Sequence, residues 1–154
     1  MKQKSFALLL VFCVSIILSC AEDKNYLPYR DVYLELDLTF RDKELKDVLG
    51  YKTYINPGKD FINGKEIAGY GGVLVINTIM SGLCAFDLAC PNEGMQSTRV
   101  KVDDDALYAT CPECGRKYEI GESGSGQHTD SKLRLTQYLV IPQTKGINIV
   151  TNRN

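Results

Sequence analysis

Two short loops carry the residues of this chain that are best suited to chemistry. Residues 90–94 begin Cys-Pro and end in glycine, and residues 111–115 read Cys-Pro-Glu-Cys-Gly. Cysteine thiolates bind zinc and iron–sulfur clusters, and the spacing Cys-x-x-Cys brings two of them to one ion. Cysteines in neighbouring loops also form disulfides. We therefore expect Cys90, Cys111 and Cys114 to form either a metal centre or a disulfide.

Neither loop contains a histidine, although histidine is the commonest metal ligand. The single histidine of the chain is His128. It lies in the polar, glycine-rich stretch 121–131, and we expect it at the protein surface. No combination of catalytic nucleophile, acid and base stands out elsewhere. The chain is therefore not expected to be an enzyme, and any redox activity would be electron transfer rather than substrate turnover.

The spacing of apolar residues and turn signals predicts an all-β domain. Residues 31–40 alternate apolar and polar side chains, which is typical of a half-buried strand. Residues 41–49 have the spacing of a short helix, and Asn63-Gly64 is a strong hairpin signal. Short strands separated by turns predict a small antiparallel sandwich or barrel. The remaining predicted strands are 51–55, 73–79, 83–89, 97–102, 106–110, 117–120, 133–141 and 146–151.

Cys84 is the weaker candidate for the cysteine site. It lies in the predicted strand 83–89, which leads into the first loop. At about 3.3 Å per residue, an extended strand puts Cys84 roughly 20 Å from Cys90. It shares strand parity with Phe86 and Leu88, so we expect a buried structural thiol.

The N-terminus has the pattern of an exported protein. Lys2 and Lys4 precede an apolar stretch, residues 6–18, that is too short to span a bilayer comfortably. A small residue then precedes Cys20, which resembles a bacterial lipobox. This pattern predicts a lipoprotein signal peptide over residues 1–19 and a lipid on Cys20. An ordinary signal peptide that happens to contain a cysteine is the alternative.

The lipobox also predicts where the protein acts. Residues 20–30 are expected to form a flexible tether, followed by one β domain, residues 31–154. The residue after Cys20 is Ala21 rather than Asp, and by resemblance to Gram-negative lipoproteins this does not signal inner-membrane retention. We therefore expect an outer-membrane lipoprotein of a Gram-negative bacterium, facing the periplasm or the cell surface. Disulfides form and persist in such compartments.

The net charge of −1 gives no broad attraction to nucleic acid. A nucleic-acid partner is therefore not expected. The expected partners are a membrane, contacted through the N-terminal lipid, and an envelope protein.

From residue 73 onward the order of motifs resembles the Rieske iron–sulfur domain. That family has a Cys-x-His loop, a Cys-x-x-His-Gly loop, a third loop rich in glycine and proline, and a closing strand of the type Leu-x-x-Tyr-x-Val. The corresponding segments here are residues 90–94, 111–115, 121–131 and 133–140. Because of the lipobox, the acidic Glu22 and Asp23 in the tether, and the run Ala-Phe-Asp-x-x-Cys-Pro, the chain also resembles Rieske-like lipoproteins of Bacteroidetes type. The resemblance implies an all-β Rieske-like sandwich or barrel with two cysteine loops at one end.

The sequence departs from the Rieske pattern at both histidine positions. By position, Cys90 and Cys111 match the two cysteine ligands, whereas Asn92 and Cys114 stand where the histidines would be. In a Rieske centre two cysteines hold one iron and two histidines hold the other. Asn92 is a neutral amide and a poor iron ligand. An ordinary His2Cys2 cluster, with its proton-coupled quinol chemistry, is therefore not expected.

These observations predict a lipid-anchored envelope protein with a Rieske-derived domain. We rank first a disulfide from Cys90 to Cys111 or Cys114, which makes the domain a disulfide-locked binding or structural module without a cofactor. Electron transfer by a cysteine-ligated [2Fe–2S] cluster, or another metal centre such as zinc, is the alternative. The second alternative is thiol–disulfide exchange through Cys111-x-x-Cys114. It is ranked last because the residues that follow have strand composition and offer no helix dipole to lower a thiol pKa.

Overall fold

The computed structural model describes residues 27–55 and 66–153, and over these residues the chain is all-β. This part of the chain contains antiparallel strands, two short 3₁₀ segments and no α-helix. The predicted fold class is confirmed. The strands are β1 (Val32–Asp37), β2 (Tyr51–Tyr54), β3 (Ile67–Ala68), β4 (Val73–Thr78), β5 (Gly82–Asp87), β6 (Lys101–Val102), β7 (Tyr108–Thr110), β8 (Lys117–Glu119), β9 (Gln137–Pro142) and β10 (Ile147–Thr151).

Seven of the described strands form one sheet, in the order β2-β4-β5-β9-β10-β1-β3. Every neighbouring pair is antiparallel. β9 pairs with β5 through residues 137–138 and with β10 through residues 139–142, so the sheet turns a corner along this strand. The small sheet β6-β7-β8 is separate and carries the second cysteine loop.

β4 and β5 lie at the centre of the molecule and are buried on both faces. In β4, Val73 and Val75 point into a core between the two halves of the large sheet, whereas Leu74 and Ile76 point into a second core. Full burial of such a side chain stabilises the fold by about 1.5–3 kcal/mol. The second core therefore holds the small sheet and the cysteine loops against β4 and β5. Its buried members are Leu74, Ile76, Cys84, Phe86, Leu88, Cys90, Val100, Ala106, Ala109, Cys111, Tyr118, Ile120, Leu133 and Leu135.

The helix predicted over residues 41–49 is wrong. Only a 3₁₀ segment, Lys43–Lys46, forms there, and within it only Leu45 is buried. Leu49 has a φ of 64°, and its N–H donates to the carbonyl oxygen of Asn77 at 2.7 Å. Because this bond attaches the chain to the end of β4, it draws Leu49 out of helical geometry.

Three of the predicted strands are markedly shorter than expected. The strand predicted over residues 97–102 forms only at Lys101–Val102. β1 ends at Asp37 because the Asp37 carboxylate accepts the backbone N–H groups of Thr39 and Phe40, which turns the chain. Strand geometry in the stretch 133–141 begins only at Gln137. Leu133 and Leu135 are buried, but their backbones bond to the glycine-rich loop instead of a strand, as the N–H of Leu135 does to the carbonyl of Gly126 at 2.9 Å.

Several expectations fall outside the described residues. These are the signal peptide over residues 1–19, the lipidated Cys20 and the Asn63-Gly64 hairpin. Within the described ranges, none of the helical segments has the length and hydrophobicity needed to cross a membrane.

The buried carboxylate of Asp87, at the end of β5, joins three parts of the fold. Its two oxygens accept the backbone N–H groups of Tyr70 (2.8 Å), Gly71 (2.9 Å) and Ala89 (2.7 Å), and the hydroxyl of Tyr138 (2.6 Å). Gly71 comes so close that a Cβ atom there would lie 2.4 Å from the backbone nitrogen of Ala89. The contact therefore fixes the backbone that enters the first cysteine loop.

We expect Asp87→Asn to destabilise the domain by about 2–4 kcal/mol, because an amide can accept from only one pair of these donors and leaves the other pair buried without an acceptor. The measurement is the free energy of unfolding in urea. The matched control is Asp104→Asn, in an exposed turn, with an expected change within about 0.5 kcal/mol. Equal effects of the two substitutions would contradict the role assigned to Asp87.

Candidate metal centre

The backbone around each cysteine loop is held by hydrogen bonds at the loop base. Cys90 follows β5, and its N–H donates to the carbonyl of Thr98 at 2.9 Å. The second loop joins β7 to β8, and the N–H of Cys111 donates to the carbonyl of Arg116 at 2.9 Å. These hydrogen bonds therefore fix the backbone positions of Cys90 and Cys111.

Each loop then closes with a glycine turn. The N–H of Gly94 donates to the carbonyl of Cys90 at 3.0 Å, and the N–H of Gly115 donates to the carbonyl of Cys111 at 2.9 Å. Gly94 and Gly115 have φ values of 67° and 69°, in the left-handed region that side chains disfavour. In the second loop this turn places Cys114 beside Cys111.

The structure brings Cys90, Cys111 and Cys114 together. Their Sγ atoms all lie within 4.8 Å of one another, and those of Cys90 and Cys114 are 3.7 Å apart. Around a tetrahedral ion with bonds of about 2.3 Å, two sulfur ligands are ~3.8 Å apart. The spacing between the sulfurs of Cys90 and Cys114 is therefore that of two ligands around one ion, and it is wider than the ~2.0 Å of a disulfide bond.

The three sulfurs lie at the edge of the second core. Cys90 and Cys111 are fully buried, whereas Cys114 is partly exposed. The buried pair belongs to the same apolar cluster as Leu88 and Ala109, and Cys114 packs against that cluster. Low polarity strengthens the attraction between a cation and thiolates. An ion would enter the site from the side of Cys114.

The thiols of Cys90 and Cys114 differ in pKa. Burial raises the pKa of Cys90, but the Tyr118 hydroxyl and the N–H groups of Glu93 and Asn92 outweigh it, so the net pKa is lowered. Burial, together with the neighbouring thiols of Cys111 and Cys90, raises the pKa of Cys114 to about 12. Cys90 is thus prepared for the thiolate form, which is the form that binds metal.

Tyr118 is a site residue that sequence reasoning missed. Its ring is fully buried, and its hydroxyl lies 3.4 Å from the Sγ of Cys90, where it can donate a hydrogen bond. The strand pattern predicted β8 without indicating a partner for this hydroxyl. A buried tyrosine usually finds a hydrogen-bond partner, which was the available signal.

The expectation that His128 lies at the surface is wrong. Its side chain is buried and packs edge-on against the Tyr118 ring, with ring centroids 5.5 Å apart. Its Nδ1 accepts the backbone N–H of Asp130 at 2.9 Å. A bridge between the backbones of Tyr118 and His128 carries the glycine-rich loop over β8, and this covers the imidazole.

Asn92 does not join the sulfurs. Its side chain is exposed, and its amide donates to the carboxylate of Glu93 at 2.9 Å. Asn92, which stands where the Rieske family has a histidine, therefore points into solvent in this chain.

Cys84 also lies apart from the three sulfurs. It pairs with Ile76 within the extended strand β5, and a Cβ atom on Gly124 would lie 2.5 Å from its sulfur. Burial raises its pKa. Cys84 thus packs under the glycine-rich loop as a small buried side chain.

The donor set does not fit the two-iron cluster of the Rieske family. Within the described ranges, the cysteine, histidine and carboxylate side chains that converge on one point are Cys90, Cys111 and Cys114. The Rieske cluster requires two histidines on its second iron. Three sulfurs around one point fit a single ion instead.

Glu119 holds the glycine-rich loop in place beside the site. Its carboxylate accepts the hydroxyls of Ser123 and Ser125, each at 2.7 Å, and the N–H groups of Glu122, Ser123 and Ser125. Burial raises the pKa of Glu119, but the serine hydroxyls and these N–H groups outweigh it and lower the pKa to about 2. The loop that covers His128 therefore depends on an ionised carboxylate.

Comparison with known protein families gives no match, and no curated protein matches the sequence. The fold is similar to a chain from the complex of reduced oxygenase and oxidised ferredoxin in carbazole 1,9a-dioxygenase, with 12% identity over 80% of this chain and 95% of that chain, at a TM-score of 0.45. It is also similar to a small subunit assigned to an NADH-dependent nitrite reductase from Mycobacterium tuberculosis, with 11% identity over 82% of this chain and 98% of that chain, at a TM-score of 0.42. Similarities this weak carry no argument about the site.

We expect Glu119→Gln to destabilise the domain at neutral pH by about 1–3 kcal/mol, because a neutral amide replaces a carboxylate that accepts several hydrogen bonds. The folded pKa of Glu119 lies below the ordinary value of 4.5. The stabilisation is therefore present above pH 4.5 and is lost as pH falls towards 2. Urea unfolding at a series of pH values should show the difference between parent and variant narrowing over that range. A difference that is constant with pH, or one matched by the control Glu122→Gln, would contradict this assignment.

Proposed function

We propose that this chain is a lipid-anchored envelope protein whose β domain binds a single metal ion through Cys90, Cys111 and Cys114. One observation carries the proposal. Three sulfurs from two loops converge within 4.8 Å of one another at the edge of an apolar core. Sites of this kind in proteins bind soft metal ions.

The third sulfur favours a metal ion over the disulfide that we ranked first from the sequence. A disulfide uses two thiols, and it would leave the third one buried against it. Cys90 and Cys111 are both fully buried, so whichever pair forms, a reduced thiol remains in or beside the core. A metal ion uses all three sulfurs at once and replaces their protons.

The domain is proposed to derive from the Rieske fold. Support comes from the order of the two cysteine loops, the glycine-rich loop and the closing strand in the sequence, and from the position of the loops between β5, β7 and β8. Loss of both histidines removes the ligands that raise the potential of a Rieske centre. The proposed centre is therefore not a quinol oxidant, and its role is metal binding or electron transfer with different chemistry.

The second candidate function is a disulfide-locked binding or structural module. The 3.7 Å between the sulfurs of Cys90 and Cys114 supports it, since a modest shift of the two loops would allow a bond. Thiol–disulfide exchange through Cys111 and Cys114 ranks last, because the loop leads into strand β8 and burial raises the pKa of Cys114 to about 12.

The envelope location is proposed from the sequence alone. The apolar stretch 6–18 and the lipobox at Cys20 support export and lipidation. An envelope protein is the proposed macromolecular partner.

The metal proposal is tested on the full chain with Cys13, Cys20 and Cys84 replaced by serine, purified in detergent without oxygen. We expect about one metal ion per chain and no inorganic sulfide, because three thiolates hold one ion. Cys90→Ser in this background should abolish the bound metal. The measurements are elemental analysis and a sulfide assay.

Three outcomes would contradict the metal proposal. Metal-free protein with a bridge between Cys90 and Cys114, or between Cys90 and Cys111, would support the second candidate. Iron with stoichiometric sulfide would indicate a cluster. Unchanged metal content in the Cys90→Ser variant would show that the ion binds at another site.

The anchoring proposal predicts that Cys20→Ser releases the protein from the membrane fraction and abolishes incorporation of labelled palmitate. The reason is that the thiol of Cys20 is the proposed lipid attachment point. Cys13→Ser is the matched control and should leave both properties unchanged. Absence of label in the parent protein would contradict lipidation.

A further inference from the structure

Among the described residues, the proposed metal centre has three soft ligands, and no fourth histidine, cysteine or carboxylate joins them. We propose that it selects Cu(I), a soft monovalent ion that is satisfied by three sulfurs, over zinc. This inference rests on the proposed metal site of Cys90, Cys111 and Cys114. It adds which metal ion that site binds. Thiolates suit Cu(I), zinc and iron–sulfur clusters. The choice among them therefore depends on ligand number and surroundings.

The number of available ligands favours Cu(I) over zinc. Structural zinc sites are almost always closed by four protein ligands. Here the convergent group of the described residues contains three, which are Cys90, Cys111 and Cys114. Cu(I) has a filled d shell and commonly takes three thiolates in a plane, so this group is complete for Cu(I), whereas zinc would need a fourth ligand such as water.

The polar side chains nearest the loops are committed elsewhere. The Asn92 amide donates to Glu93 in solvent. The Asp87 carboxylate accepts three N–H groups and the Tyr138 hydroxyl. The Tyr118 hydroxyl lies 3.4 Å from the sulfur of Cys90, in position to donate to it, and so supports a ligand instead of acting as one.

Hydrogen-bond donors lie beside the buried sulfur of Cys90. Two of the three sulfurs are fully buried, in the same apolar cluster as Leu88, Val100 and Ala109. With three thiolates, Cu(I) leaves a net charge of −2 at the site, compared with −1 for zinc, and a buried charge needs hydrogen-bond donors. Hydrogen bonds stabilise the negative charge that stays on the sulfurs. They come from the Tyr118 hydroxyl and from N–H groups at Glu93 and Asn92.

The test uses the full chain with Cys13→Ser and Cys20→Ser, reduced and free of oxygen, in detergent. The protein is first loaded with zinc and then titrated with Cu(I) buffered by bicinchoninate. We expect zinc to be released in full at one Cu(I) per chain. We also expect the Cu(I) form to luminesce, as solvent-shielded Cu(I)–thiolate centres do.

Variants test the three-coordinate geometry. Cys114→Ser, at the partly exposed position, should weaken Cu(I) binding by more than about 100-fold, beyond the loss typical of a supporting group. Cys84→Ser should leave binding unchanged. Circular dichroism matched to the parent verifies that each variant is folded.

The outcomes separate this inference from the proposed function. Retention of zinc at one equivalent of Cu(I), uptake of several Cu(I) ions per chain, or a loss below about 10-fold in Cys114→Ser would overturn the selection of three-coordinate Cu(I). The metal site itself would survive those results. Failure to bind either ion would overturn both.

Discussion

The position of the cysteine site depends on how β5 ends. β5 is buried on both faces, and at its last residue the Asp87 carboxylate accepts hydrogen bonds from Tyr70 and Gly71, from Ala89 at the entry to the first cysteine loop, and from Tyr138 in β9. A buried carboxylate needs such donors to remain in an apolar interior. Three of the donors are backbone N–H groups close to the loop entry. They therefore fix the backbone that leads to Cys90.

The cysteine site combines loops that resemble those of a Rieske domain with a different set of side chains. The loop spacing and the closing strand resemble those of a Rieske domain, whereas the side chains that converge are three cysteines instead of two cysteines and two histidines. The change affects charge as well as geometry. Imidazole ligands are neutral and can lose a proton on oxidation, but thiolates bring full negative charges and soft donor atoms. A site with this donor set is suited to holding a soft cation, and it has no histidine through which electron and proton transfer would be coupled.

Sequence reasoning predicted the strands best where apolar residues form a continuous run. Val73 to Ile76 form a run that is buried on both faces, and its β assignment is confirmed. The helix over residues 41–49 was wrong because a long-range bond from Leu49 to Asn77 overrides a weak helical pattern. Local composition cannot indicate such a contact. The convergence of Cys90 with Cys111 and Cys114 was expected from loop order alone.

The environment of the cysteines was harder to predict than their positions. The polar, glycine-rich stretch 121–131 predicted an exposed His128, but Glu119 gathers this loop and folds it over Tyr118. The Tyr118 hydroxyl and the lowered pKa of Cys90 follow from that arrangement. Both depend on contacts between β8 and a loop whose fold is set by side-chain hydrogen bonds, which hydrophobic periodicity does not encode.

The most direct test of the central claim, one metal ion held by three sulfurs, is X-ray absorption spectroscopy of the metal-loaded protein at the metal edge. The account predicts a single shell of about three sulfur scatterers and no nearby second metal. A metal–metal distance typical of a two-iron cluster, or a first shell dominated by nitrogen and oxygen, would contradict it.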